Sequence, residues 1–289
     1  IVYYQGESIM SVSIERAETA GFSMRYFRFG TGLKTMVILP GLSVQSVMDQ
    51  AQAVANEYDI MKDDFTVYVF DRREELPEEY TVHQMAEDTA LIMQELGLKD
   101  VYLFGASQGG MMALEIAIDH PELVRRMVLG STTSHVRDGQ YELLERWAYL
   151  ARTKEKRELY LEFAQALYPQ EIYEAYKDMF IQAAETVTDK DLERFIILTE
   201  GTKGFNVTDR LDRIKCPALV IGVYEDAVLD SDATMEIAEK LEAVPDFKLY
   251  MYIGHGHAAF DTAPDYRERI YRFFTRQDIK GGQNDKRRG

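Results

Sequence analysis

The chain has 289 residues, 46% of them hydrophobic and 28% charged, a composition that can bury a substantial core and excludes disorder as the dominant state. Its 49 acidic against 33 basic side chains leave a net charge of −16, which repels phosphate backbones and anionic lipid and argues against a nucleic-acid or membrane-surface role. A single cysteine, Cys216, excludes an intrachain disulfide and a cysteine-rich zinc site, and fits a reducing, cytoplasmic setting.

No apolar run approaches membrane-spanning length, and no basic segment followed by an apolar one opens the chain, so no secretory signal is expected. The first residue is Ile1; residues 1–8 read as a processing remnant, with Met10 a candidate native start. Residues 11–18 and 23–29, rich in β-branched and aromatic side chains and separated by Gly21, predict an antiparallel hairpin at a sheet edge. Residues 34–39 form a buried-strand pattern closed by Pro40-Gly41, 45–58 carry helical spacing, and 65–70 form a second strand ending at Asp71. Thr81 with Gln84 makes a capping box for a helix that Gly97 stops. Strand 101–104, helix 109–119 and strand 126–130 complete a β-α alternation typical of a parallel sheet with helices on both faces.

From 134 to 207 the pattern changes to helix-forming and aromatic-rich, and Pro169 and residues 186–189 break it into about four helices. The strand pattern resumes at 216–222, followed by helix 231–241, strand 247–253 and helix 265–276, with a mobile tail after 278. The expected organisation is an α/β core (11–133 and 208–278), an inserted helical cap (134–207) and a tail (279–289).

The stretch from Val101 to Gly110 has the form strand, Gly105-Ala106-Ser107-Gln108-Gly109, helix. A sharp strand-to-helix turn exposes the serine oxygen above the sheet, and glycines two positions away on either side relieve the clash it creates. Serine is a weak nucleophile at neutral pH and needs a base. Of the five histidines, His83 sits inside a predicted helix, His120 at a helix end and His135 just past a strand end. His255 and His257 follow the last predicted strand, at the sheet edge where parallel folds bind ligands; His257 is favoured and His255 is the alternative. The orienting carboxylate is read as Asp226, just past strand 216–222, with Glu225 and Asp230 as neighbouring candidates.

The order Ser107, Asp226, His257 resembles the α/β-hydrolase superfamily, of the type with a helical cap inserted in the core, over nearly the whole chain from 11 to 276. The resemblance implies that the backbone amide of Gln108 forms one half of an oxyanion hole. The other half would come from the loop after the third strand, Pro40-Gly41-Leu42-Ser43, at Leu42 or, because the usual His-Gly is Pro-Gly here, at Ser43. The family's Asp-x-Arg-Gly after the fourth strand is Asp71-Arg72-Arg73-Glu74, keeping the acid and an arginine and losing the glycine. Relatives that open epoxides or displace halide place aspartate at the elbow, so Ser107 argues against both, and relatives that release N-terminal proline carry a glycine-rich loop that 39–43 does not resemble.

The expected reaction is hydrolysis of a small or medium carboxylic ester, or a related acyl bond, through an acyl-enzyme. Acyltransfer, thioester or carbon–carbon bond hydrolysis and perhydrolysis use the same residues and are not separated from it. A hydrolase-like small-molecule binding protein with little turnover is the rival class. No metal spacing and no phosphate cradle other than the elbow is present, so no cofactor is expected. The expected partner is a small-molecule acyl substrate, and the sequence is compatible with a homo-oligomer. Trp147, Tyr168 and Tyr173 are the cap aromatics taken as candidates for the pocket wall.

Overall fold

A computed structural model describes residues 12–276; the remnant expected at 1–8 and the tail expected at 279–289 lie outside them. The strands are β1 (Ile14–Glu18), β2 (Ser23–Phe29), β3 (Lys34–Leu39), β4 (Phe65–Arg73), β5 (Val101–Ala106), β6 (Val124–Gly130), β7 (Ala218–Val223) and β8 (Lys248–Tyr252). They form one sheet in the order β1-β2-β4-β3-β5-β6-β7-β8. Only β2 runs against its neighbours; β4 through β8 pair in parallel.

The central strands are apolar on both faces because each face meets helices. In β3, Val37 and Leu39 enter one core while Met36 and Ile38 enter the other; in β5, Leu103 and Phe104 divide in the same way. One core lies under α2 (Val82–Glu95), α3 (Gln108–Asp119) and α8 (Asp230–Leu241), the other under α1 (Ala51–Glu57) and α10 (Tyr266–Thr275). Between β6 and β7 come four helices, α4 (Asp138–Arg152), α5 (Lys156–Leu167), α6 (Gln170–Thr186) and α7 (Asp189–Glu200). Their buried residues Leu144, Trp147 and Phe195 join the first core. Among the described residues no helix is long and apolar enough to cross a membrane.

Most predicted elements appear within a few residues of their expected bounds, including the reciprocal capping box of Thr81 and Gln84. Three differ. The helix expected at 45–58 divides into a 3-10 turn, Val47–Gln50, capped by the Ser46 hydroxyl, and the shorter α1. Strand β4 continues past Phe70 to Arg73, which pairs with Met24 across an irregularity in β2. A short helix, α9 (Ala259–Thr262), precedes α10.

The turn between β5 and α3 places the site. Ser107 adopts φ 51°, ψ −121°, a left-handed conformation that costs a non-glycine residue about 2 kcal/mol. It is clamped by the bond from Ser107 N to Gly130 O (2.9 Å) and from Thr132 Oγ1 to Ser107 O (2.7 Å). Helix α3 starts against the end of β3, and a Cβ at Gly109 would lie 2.0 Å from the carbonyl oxygen of Leu39. Gly109→Ala should therefore destabilise the fold by about 3 kcal/mol, the upper range for an overpacked core. Gly139→Ala, on the exposed start of α4 with nothing within 4 Å of the added carbon, should instead stabilise by about 0.5–1 kcal/mol. Urea unfolding of the two variants beside the wild type checks both signs.

Candidate active site

Three side chains converge at the carboxyl ends of β5, β7 and β8, the edge at which open parallel sheets hold ligands. His257 Nε2 lies 3.0 Å from Ser107 Oγ, and His257 Nδ1 lies 2.9 and 2.8 Å from the two oxygens of Asp226. His257 and Asp226 are buried. Asp226 Oδ1 also accepts from the amides of Val228 (2.9 Å) and Leu229 (3.0 Å), which fix the carboxylate at the start of its loop. Burial alone would raise the Asp226 carboxyl, but the His257 ring, the hydrogen bond to it and these two amides outweigh burial and hold it below its ordinary value of 3.8. With the carboxylate on Nδ1, Nε2 is the ring nitrogen that faces Ser107.

The other candidates are occupied elsewhere. His255 packs its ring on Tyr252 at 5.2 Å and contacts Thr262 Oγ1 at 3.3 Å. His83 faces Glu115, His120 faces Glu87, and His135 faces Glu236. Glu225 accepts from the amide of Gly254, and Asp230 caps α8 at Ala233 N while pairing with Arg137.

A cavity of about 40 Å³ opens at Ser107 and His257, and both Leu42 and Gln108 line it. The loop after β3 passes so close that a Cβ at Gly41 would sit 3.2 Å from Ser107 Cβ. Ser43 does not border the cavity; its hydroxyl donates to Gln45 O at 2.7 Å. Gln108 is the first residue of α3, where a backbone N–H has no partner within the helix. Its side chain is held away from the reacting centre: Nε2 donates to Leu198 O (2.7 Å) and Oε1 accepts from Arg72 Nη2 (3.0 Å).

Arg72 is the residue that sequence reasoning undervalued. The same Nη2 also donates to Pro40 O at 3.0 Å, so one buried guanidinium braces the β3 loop and the elbow together. Burial pulls its pKa down to about 10, and Asp71 partly opposes that. Asp71 is itself buried; burial pushes its carboxyl up, while the charge of Arg194, the Ser46 hydroxyl and the Arg72 amide hold it below the ordinary range. Arg194 of α7 pairs directly with Asp71. The available signal was the acid–arginine pair at the end of β4, at the same sheet edge as Ser107.

Leu144 and Trp147 of α4 and Phe163 and Leu167 of α5 line the cavity from the helical insertion. Of the three aromatics taken as wall candidates, Trp147 is there and the other two are not. Tyr168 and Tyr173 both stack on Phe180, at 5.7 and 6.4 Å, and the Tyr168 hydroxyl donates to Asp261 at 3.0 Å. Among the described residues one group has spacing that could hold a metal ion, His83, Glu115 and Asp119. Arg210 pairs with both of those carboxylates, which favours an ion-paired network over a cation.

Comparison with known proteins follows the same outline. A protein of Agrobacterium fabrum provisionally named carbamate hydrolase RutD is 26% identical over 236 residues, 77% of this chain and 87% of its own. The human protein named serine hydrolase BPHL is 26% identical over 229 residues, 76% of this chain and 72% of its own. Among solved structures, MGS-M2, an alpha/beta hydrolase enzyme from a Medee basin deep-sea metagenome library, aligns with a TM-score of 0.81 at 21% identity, covering 93% of this chain and all of its own. The family model described as alpha/beta hydrolase fold matches residues 34–264, a span that runs from β3 through Ser107 and Asp226 to His257. With the family model, the strand order and the elbow all in agreement, the chain belongs to the alpha/beta hydrolase fold family.

Proposed function

We propose that the protein is a serine hydrolase that cleaves a small or medium carboxylic ester, or a related acyl bond, through an acyl-enzyme. The observation that carries this reading is the unbroken chain of contacts from Asp226 through the buried His257 to Ser107 Oγ at 3.0 Å. His257 takes the proton of Ser107 as its oxygen attacks the carbonyl, and Asp226 holds the ring in the required tautomer and stabilises its positive charge. The amides of Leu42 and Gln108 receive the developing oxyanion, each donor contributing about 3 kcal/mol of transition-state stabilisation. His257 returns the proton to the leaving group, then activates a water that releases the acyl group. Two relatives carry hydrolase names, one of them that of a serine hydrolase, which supports hydrolysis as the outcome.

Residues 134–207 act in this reading as a cap on the core formed by 11–133 and 208–278. The cap contributes apolar side chains to the cavity wall, and a cavity of about 40 Å³ favours a short acyl chain. By the same measure a water needs roughly 10–15 Å³.

Ser107→Ala should lower turnover of p-nitrophenyl butyrate by about 10⁴-fold or more and abolish labelling by a fluorophosphonate probe; unchanged turnover would remove Ser107 from the mechanism. Phe163→Ala, which removes a ring from the wall, should move the preferred p-nitrophenyl ester to a longer acyl chain, read from kcat/KM across a C2–C10 series. Asp226→Asn should cut kcat by about 10⁴-fold and should also change the acid limb of stability. Folding lowers the Asp226 carboxyl from 3.8, so its contribution is complete above that value and is lost as pH falls through the lower folded value. The difference in urea midpoint between wild type and Asp226→Asn should therefore narrow as pH falls from about 5 to about 3.

A further inference from the structure

The loop after β3 carries Leu42, which lines the cavity beside Ser107. The Leu42 amide donates to no other group among the described residues, so it is free for a ligand. It lies in the chain between two carbonyls that are held by separate guanidinium groups. Pro40 O accepts from Arg72 Nη2 at 3.0 Å, and Ser43 O accepts from Arg194 Nη1 at 3.4 Å. Arg72 stands near the end of β4 in the core, whereas Arg194 comes from α7 of the helical insertion.

The loop lies against the elbow: a Cβ at Gly41 would sit 3.2 Å from Ser107 Cβ and 3.3 Å from Ala106 O. Arg194 is aimed at it by Asp71, the buried carboxylate with which it pairs. The same carboxylate accepts from the Ser46 hydroxyl, so Asp71 joins the insertion to both ends of the stretch 43–46. Arg194 is not among the residues that line the cavity, so any effect it has on the reaction passes through the loop. Such an effect is large when an oxyanion donor is involved, because a donor misplaced by about 1 Å costs about 10²-fold in rate.

We propose that Arg194 is a positioning residue for the reaction: reaching out of the helical insertion, it fixes the loop that presents the Leu42 amide to the oxyanion. The insertion then supports turnover itself in addition to walling the cavity. The inference rests on the serine hydrolase reading and adds to it a residue that acts on the transition state from outside the reacting centre.

The first test is Arg194→Met, with rates counted per Ser107 that titrates with a fluorophosphonate, so that misfolded protein does not enter. For p-nitrophenyl butyrate, kcat should fall about 30-fold while KM stays within about twofold. The inhibition constant of 1,1,1-trifluoropentan-2-one, whose adduct with Ser107 places an oxyanion in the hole, should rise by the same factor as kcat/KM falls. An unchanged kcat per titrated site overturns the proposal.

Arg194→Met also leaves Asp71 buried without its partner and should lower the urea midpoint. The double variant Asp71→Asn/Arg194→Met removes both charges and should return the midpoint close to that of the wild type. Its kcat should stay depressed, because Ser43 O is still released. Recovery of kcat together with stability would make Arg194 a merely structural residue and overturn the proposal. Failure of the underlying reading has a separate signature: wild-type protein that neither turns over p-nitrophenyl butyrate nor takes a fluorophosphonate at Ser107.

Discussion

Everything at the site depends on a backbone held in a conformation it would not choose. Ser107 is left-handed, and the surrounding chain makes that state obligatory by closing in on both sides. A side chain at Gly105 would strike Gly109 O at 2.3 Å, and one at Gly109 would strike Leu39 O at 2.0 Å. The turn is tight because strand, loop and helix are all within contact distance of one another. That crowding aims Ser107 Oγ above the sheet, where the loops after β7 and β8 can reach it. The strain is local, and the two cores on either side of the sheet are large enough to hold it.

Buried charge performs a second kind of positioning. Arg72 links Pro40 O with the Gln108 side chain, while Asp71 receives Arg194 from the helical insertion and Ser46 from the stretch before α1. Pairs of this kind contribute little net stability when both partners are counted against their desolvation. Their value here is geometric: the loop after β3, the start of α3 and helix α7 are tied to the end of β4 beside Ser107. Arg72 Nε has no partner among the described residues, so the brace is not fully satisfied even as it fixes these elements.

Much of this architecture is legible in the sequence, for reasons that differ by element. The central strands are readable because burial on both faces turns them into short continuous apolar runs, as in 101–104 and 218–223. Ser107 is readable because its turn needs glycine at fixed offsets, and Asp226 and His257 because each follows such a strand. The Asp71–Arg194 pair joins residues 123 positions apart, and no local pattern announces a long-range ion pair. Strand β4 looks shorter than it is because Asp71, Arg72 and Arg73 resemble a solvated turn until their buried partners are known. The cap aromatics fail for another reason: composition marks Trp147, Tyr168 and Tyr173 as equally buriable, and only the helix rotation about its axis decides that Trp147 meets the cavity while the two tyrosines stack on Phe180.

Gln108 joins two parts of the molecule that are usually thought of separately. Its main chain belongs to the elbow, and its side chain grips the carbonyl of Leu198 on α7. Nearby, Arg194 is fastened to Asp71 and the carbonyl of Gly201 receives the amide of Val82. The far end of the helical insertion is thus tied to α3, to β4 and to α2 at three separate points, and the first of these is the residue that follows Ser107. Helices α5 and α6 meet the core elsewhere, through bonds of Tyr160, Leu167, Tyr168 and Thr186, so the insertion rests on two footings, one reaching the elbow of Ser107 and the other the stretch that follows His257.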